Sequence, residues 1–251
     1  MKQSINKQIV LNFYKKVIGE QDLEYVEKIV TDHYIQHNPQ VRTGKEGLLE
    51  AIKYLKQLPK SKETSKPFMR ILTDNDYVVV HMKIEFGGQK KIVLDLFRLE
   101  NELIAEHWDA IQNESENSIN GNSEIEGPVL IEDKGRTTEN KKVVANFTKH
   151  VLIDGTFDML EEYVITNVIQ HNPNINNGLI GLKEYYQKNN IQKVHRILGE
   201  GNFVVTQSTG TIDNQHTVCY DIYRLKNGLI AEHWSVSQVI PKVMAHTNGM
   251  I

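Results

Sequence analysis

The chain has one cysteine in 251 residues, Cys219, so an internal disulfide is excluded. Cys219 sits in the apolar run "TVCYDIYRL", which reads as a buried, inert thiol. Basic charge is not in excess: 29 Lys and Arg stand against 32 Asp and Glu, for a net charge of −3. No basic domain is present, so no nucleic-acid partner is expected. The lysines between Pro59 and Lys66 read as a solvated loop. No apolar stretch approaches the length that spans a bilayer, and "MKQSINKQIV" at the start lacks the apolar core of a signal peptide. No membrane partner and a cytoplasmic location are expected. There is no Gly-rich phosphate loop and no nucleophile elbow. No ligand pair has the tight spacing of a known metal motif, so neither metal nor cofactor is expected.

What is present is repeated. "IQHNP" occurs at Ile35–Pro39 and again at Ile169–Pro173, an offset of 134. The same offset carries Asn6-Lys7 onto Asn140-Lys141, Asn12-Phe13 onto Asn146-Phe147, and Gly44 onto Gly178. Further on, "DLFR" at Asp95 answers "DIYR" at Asp221, and "IAEHW" at Ile104 recurs at Ile230, both with an offset of 126. The second copy is therefore eight residues shorter, near "QLPKSKET", as a surface loop allows. The polar segment "NESENSINGNSEIEG" reads as a linker. Three parts follow: copy one over 1–112, a linker over 113–133, and copy two over 134–251.

Each copy opens with helical spacing. Ile5, Ile9, Phe13 and Val17 fall on one face, answered by Val143, Val144, Phe147 and Val151. A second helix is expected over Leu23–Val30, and a third after Gly44 with Leu48, Ala51, Ile52 and Leu55 as its stripe. The period then changes to that of strands: "YVVVHMKIEF", "KIVLDLFRL" and "LIAEHWDAI" are separated by turns. Asn227-Gly228 signals a type I′ hairpin. Helices followed by an antiparallel meander imply an α+β domain. Both faces of "VLDLFRL" are largely apolar. One side can pack on the domain's own helices and the other needs a partner, so an intrachain pseudo-dimer of the two copies is expected.

These features together resemble the SnoaL-like branch of the nuclear transport factor 2-like superfamily. The motifs carrying the resemblance are His-Asn-Pro after the second helix, "D-x-(F/Y)-R", and "E-H-W" near the end, once per copy. The resemblance implies two tandem cone-shaped domains, each with N-terminal helices on a curved antiparallel sheet enclosing an apolar cavity. In the cyclases of that branch an aspartate on the "D-x-F-R" strand is the acid/base, which maps to Asp95 and Asp221. Fold alone does not settle function, because the branch includes binding modules without chemistry.

Asp95 and Asp221 lie among apolar neighbours, which raises a carboxyl pKa and suits a general base; the alternative is a structural ion pair. His37 and His171, read as helix-end residues before Asn-Pro, either donate a hydrogen bond to a substrate oxygen or hold the loop. His81 is a third candidate for the acid/base group; its counterpart Gln207 can bind but not carry a proton. Trp108 and Trp234, His107 and His233, and Asp109 are candidate ligand contacts. Asp109 is replaced by Ser235 in copy two, so copy one is expected to be the more competent site. Arg98 and Arg224, opposite the aspartates, suggest an inter-domain role. The implied activity is a cofactor-free lyase or isomerase that performs aldol-type acid/base chemistry on a small apolar carbonyl compound. The rival is a small-molecule-binding module.

Overall fold

The computed structural model describes residues 2–57 and 68–251, so the lysine-rich stretch Pro59–Lys66 lies outside the described residues. The chain divides into two compact units: Met1–Asp109 with Ile240–Ile251, and Ala110–Val239. Among the described residues no helix is long and apolar enough to cross a membrane.

The first unit opens with α1 (Lys2–Asn12), continued by a π-helical turn over Phe13–Gly19. Its buried stripe is Asn6, Val10, Phe13 and Val17, with steps of four, three and four residues. Ile5, expected on that face, falls one position outside it and is 37% exposed. Asn6 replaces it because its amide donates to the Asn75 carbonyl (3.2 Å). α2 (Leu23–Ile29) is N-capped by Asp22, whose carboxylate accepts from Tyr25 N (3.0 Å).

The chain then becomes extended. β1 (Val30–Gln36) runs into the His-Asn-Pro motif, so His37 follows a strand and not a helix. His37 N continues the strand pairing by donating to the His107 carbonyl (2.9 Å). The helix-terminus argument for this histidine therefore fails. α3 (Gly44–Leu55) buries Leu48 and Ile52, and four strands follow: β2 (Phe68–Asp74), β3 (Tyr77–Phe86), β4 (Gln89–Glu100) and β5 (Leu103–Asn113). The sheet order is β1-β5-β4-β3-β2, an antiparallel meander with β1 added in parallel to β5.

The second unit repeats this plan. α4 (Thr137–Phe147), a π-helical turn over Thr148–Ile153, and α5 (Leu160–Tyr163) lead to β6 (Val164–Gln170) and α6 (Gly178–Lys188). β7 (Asn190–Glu200), β8 (Phe203–Ile212), β9 (Gln215–Lys226) and β10 (Leu229–Val239) complete a sheet of order β6-β10-β9-β8-β7. Asn227 and Gly228 both have positive φ (54° and 82°), as a type I′ turn requires. The structure is thus α+β, with two five-stranded sheets that each carry helices. β4 is buried on both sides, with Val93 and Phe97 on one and Leu94 and Leu96 on the other. Cys219 on β9 is a buried free thiol, and burial pushes its pKa well up.

Candidate functional sites in the two copies

On the helix-facing side of the first unit, Phe13 meets Phe97 edge-on (5.7 Å between ring centres). Strand alternation puts Asp95 on the same face as Phe97. Asp95 and His107 meet there, Asp95 Oδ1 lying 3.4 Å from His107 Nε2. The Tyr14 hydroxyl, from the π-helical turn, donates to Asp95 Oδ2. Gln36 Oε1 accepts from the backbone N–H groups of His37 and Asn38 (both 2.9 Å), which fixes the orientation of its amide. That oxygen faces His107 Nδ1 at 3.0 Å, so Nδ1 carries a proton and Nε2 is turned toward Asp95. Asp109 Oδ2 accepts from Asn38 Nδ2 (2.6 Å), while Oδ1 is buried without a hydrogen bond among the described residues.

The electrostatics follow from this burial. Burial, with the charge of Asp95, raises Asp109 to about 6, although His107 and Asn38 pull the other way. Burial opposes a charge on His107, but the hydrogen bond and charge of Asp95 outweigh it and raise its pKa. Burial and Asp95 push the Tyr14 phenol well up. The group is a carboxylate and an imidazole placed to share a proton, with a phenol and a second carboxyl beside them. Asp95, His107 and Asp109 also offer one ligand atom each within 4.8 Å of one another, a donor set that a divalent cation would fit. Sequence spacing missed this set because its members come from two strands.

The second unit keeps the centre and changes its surroundings. His233 Nε2 lies 2.9 Å from Asp221 Oδ1, and its Nδ1 lies 2.7 Å from Gln170 Oε1. Ser235 replaces Asp109 and receives Asn172 Nδ2 (2.7 Å). Thr148 stands where Tyr14 does and turns its hydroxyl to the Ala145 carbonyl (3.0 Å). Tyr223 replaces Phe97 and stacks on His233 (5.0 Å, 15°). Among the described residues, the hydroxyls of Tyr223 and of Thr206, which pairs across the sheet with Asp221, are buried without a well-formed hydrogen bond.

His37 and His171 belong to the opposite face of their sheets. His37 stacks on Trp108 (4.8 Å, 14°), and its Nε2 lies 2.9 Å from Glu106 Oε1. Glu106 is also bonded by Arg98 Nε (2.8 Å). His171 stacks on Trp234 and meets Glu232 (2.8 Å), which Arg224 holds at 2.7 Å. Both arginines therefore serve the same glutamate that the motif histidine meets. Burial opposes ionisation of Glu106 and Glu232, but the histidine and arginine bonds outweigh it and lower both pKa values.

The second ring nitrogen of each histidine holds a tail. His37 Nδ1 donates to the Gly249 carbonyl (2.8 Å), and His171 Nδ1 to the Ser123 carbonyl (2.6 Å). Around them, Asn248 Nδ2 donates to the Gln36 carbonyl (2.9 Å) and Asn122 Nδ2 to the Gln170 carbonyl (2.9 Å). Asn122 and Asn248 are 126 positions apart, as are Ser123 and Gly249. Within the segment read as a linker, Asn122 and Ser123 thus make the contacts that Asn248 and Gly249 make at the other end of the chain.

Of the sequence candidates, Asp95, His107 and Asp109 come together in the first unit, and Asp221 with His233 in the second. His37, His171, Trp108 and Trp234 do not join them. His81 shares the face of Leu94, its cross-strand partner, and meets Arg70 Nη1 (3.2 Å); Gln207 receives Arg196 in the same position. Both lie on the face away from the aspartates. Tyr14, Gln36, Gln170, Glu106 and Glu232 were missed; nothing in local spacing links them to the aspartates or histidines they serve.

Known structures are similar to parts of this chain. TsrD from Streptomyces laurentii is 21% identical over 45% of this chain and 91% of its own, with a TM-score of 0.38. A SnoaL-like polyketide cyclase from Agrobacterium tumefaciens is 14% identical over 39% of this chain and 91% of its own, with a TM-score of 0.34. An NTF2-like protein of unknown function from Cytophaga hutchinsonii is 18% identical over 39% of this chain and 89% of its own, with a TM-score of 0.35. No family model matches the chain, and no curated protein does.

Proposed function

We propose that the protein is a cofactor-free lyase or isomerase that moves a proton next to the carbonyl of a small apolar compound, as in aldol-type condensation or ring closure. The observation that carries this reading is the buried Asp–His–Gln series found in both units: Asp95–His107–Gln36 and Asp221–His233–Gln170. The aspartate takes the α-proton. The imidazole, anchored through Nδ1 on the glutamine, holds its Nε2 against that carboxylate and carries the proton onward. A nearby hydroxyl, from Tyr14 in the first unit and from Tyr223 or Thr206 in the second, donates to the developing enolate oxygen. In the first unit a substrate must displace Tyr14 from Asp95.

The rival reading, a binding module without chemistry, is favoured by one feature: each aspartate is already partnered by a histidine. Exchange of α-protons for deuterium separates the two. A panel of apolar ketones and aldehydes is incubated with the full chain in D2O and followed by NMR. Protein-dependent exchange, reduced about 100-fold or more by Asp221→Asn combined with Asp95→Asn, supports the enzyme. Binding without exchange leaves the binding module. We also propose that the copies pair within one chain, on the strength of the two apolar faces of "VLDLFRL". A full chain that remains a monomer by light scattering, while a copy-one fragment self-associates, fits that pairing.

A further inference from the structure

The two units differ at one place that the repeat makes directly comparable. In the first, the Tyr14 ring packs edge-on against Phe68 (4.9 Å) and sends its hydroxyl to Asp95. In the second, the same positions hold Thr148 and Val194. Both line a groove of about 570 Å³ between the π-helical turn and edge strand β7. That volume is in the range of small-molecule sites. Two aromatic rings in one copy are thus matched by two smaller side chains at the edge of a groove in the other, and the Tyr14 side chain shows what kind of group that position receives. In the first copy the Tyr14 hydroxyl reaches Asp95, and Asp221 is the repeat counterpart of Asp95.

The groove also has a charge. Its lining includes Lys149, Lys193, His195 and Arg196 and no carboxylate. Lys149 is tied to Asp154 (2.5 Å), and Arg196 to Gln207, which leaves the exposed Lys193 and the half-buried His195 to face an occupant. His195 Nε2 lies 2.9 Å from Thr209 Oγ1, so its Nδ1 is the ring nitrogen open to a ligand. Ile153, Val194 and Ile197 supply the apolar walls.

We infer that the second copy binds a hydroxylated aromatic acid in this groove: the ring lies between Thr148 and Val194, the hydroxyl reaches Asp221 as Tyr14 reaches Asp95, and the carboxylate meets Lys193 and His195. The first copy carries its own occupant, Tyr14, and is closed to such a ligand. Asp221 is also the base of the proposed reaction, so the inference deepens that reading, but it concerns binding and is tested without turnover.

The probe is 3-(4-hydroxyphenyl)propanoate, titrated into the full chain by calorimetry. Its controls are 3-phenylpropanoate, which lacks the hydroxyl, and 4-ethylphenol, which lacks the carboxylate. One saturable site per chain is expected, weakened about tenfold or more by either deletion. Thr148→Tyr with Val194→Phe recreates the first copy's ring pair and is expected to abolish binding while leaving the melting temperature within a few degrees. Tyr14→Ala is expected to open a second site. The C2–H resonance of His195 reports independently: burial and the charges of Lys193 and Arg196 hold its pKa down, and a bound carboxylate raises it. Absence of saturable binding, or binding indifferent to the ring pair and to both deletions, overturns the inference. Binding as described with no deuterium exchange on any carbonyl compound sinks the proton-transfer reading alone.

Discussion

Asp109 is a residue whose charge is costly where it stands. Its pKa of about 6, raised from 3.8 chiefly by burial, means that the folded protein holds the proton more tightly than the unfolded chain. The sign follows: the group favours folding fully below the unfolded value of about 4, and that advantage is lost as pH rises through 6. A shift of this size corresponds to on the order of 3 kcal/mol. Asp109→Asn keeps an oxygen to accept from Asn38 and removes the charge. It is expected to be more stable than the parent at pH 7 and nearly equal to it near pH 4, by urea denaturation at both values. A constant difference across that range would show that folding leaves the Asp109 pKa unshifted. A neutral acceptor stands at this position in the second copy, where Ser235 receives the equivalent asparagine. The sequence made Asp109 visible as a difference between copies, but only the sheet register showed it beside Asp95 rather than beside His81.

Elements explain why the motif was misread. "VTDHYIQ" follows a helix without a break, and its alternation is imperfect: Val30 and Thr31 are both buried and Asp32 and His33 both exposed. A run of that kind looks like the end of a helix until its partner is known. The partner is β5, some 70 residues away, and its pairing decides the matter. The long helices and the strands β3, β4 and β5 were legible because they carry their period within themselves. β2 and β7 are edge strands whose pattern is broken by bulges, and they were not. The helix after the motif shows the opposite case, a local sequence with a tertiary reason. A Cβ added at Gly47 would lie 2.0 Å from the Arg42 carbonyl oxygen, and one at Gly181 would lie 2.2 Å from that of Asn176. Both glycines let the incoming loop pass against the first turn of α3 or α6. Gly47→Ala and Gly181→Ala are each expected to cost about 2 kcal/mol or more, since a backbone atom must move. An unchanged midpoint in chemical denaturation would show that the loop yields easily.

At the scale of the whole chain, the histidines of the opening motif each hold a distant stretch of polypeptide. The segment that follows β5 packs in the second unit, where Ser123 and Asn122 meet His171 and Gln170. The segment that follows β10 packs in the first, where Gly249 and Asn248 meet His37 and Gln36. Each copy thus gives its tail to the other, an arrangement that only a duplicated chain can make within itself. His246 adds a bond to the Asn38 carbonyl (2.9 Å), Ala245 N donates to the Pro39 carbonyl (2.8 Å), and Met250 is buried. A chain ending at Val239 loses these contacts, and at about 1 kcal/mol per hydrogen bond the first unit is expected to lose several kcal/mol. The effect appears about 200 positions from the cut, because Gln36 and His37 are the residues uncovered. Hydrogen exchange should rise at Gln36–Asn38 and stay unchanged at Gln170–Asn172. Alanine at Asn120 and Asn122 should reverse the pattern, since Asn120 holds the carbonyls of Asn172 and Ile175 (both 2.7 Å). Equal loss of protection in both units after either change would mean that the tails stabilise the chain as a whole. Protection lost only in the opposite copy would show that each tail is the missing piece of its neighbour's fold, and that the second His-Asn-Pro was retained to hold it.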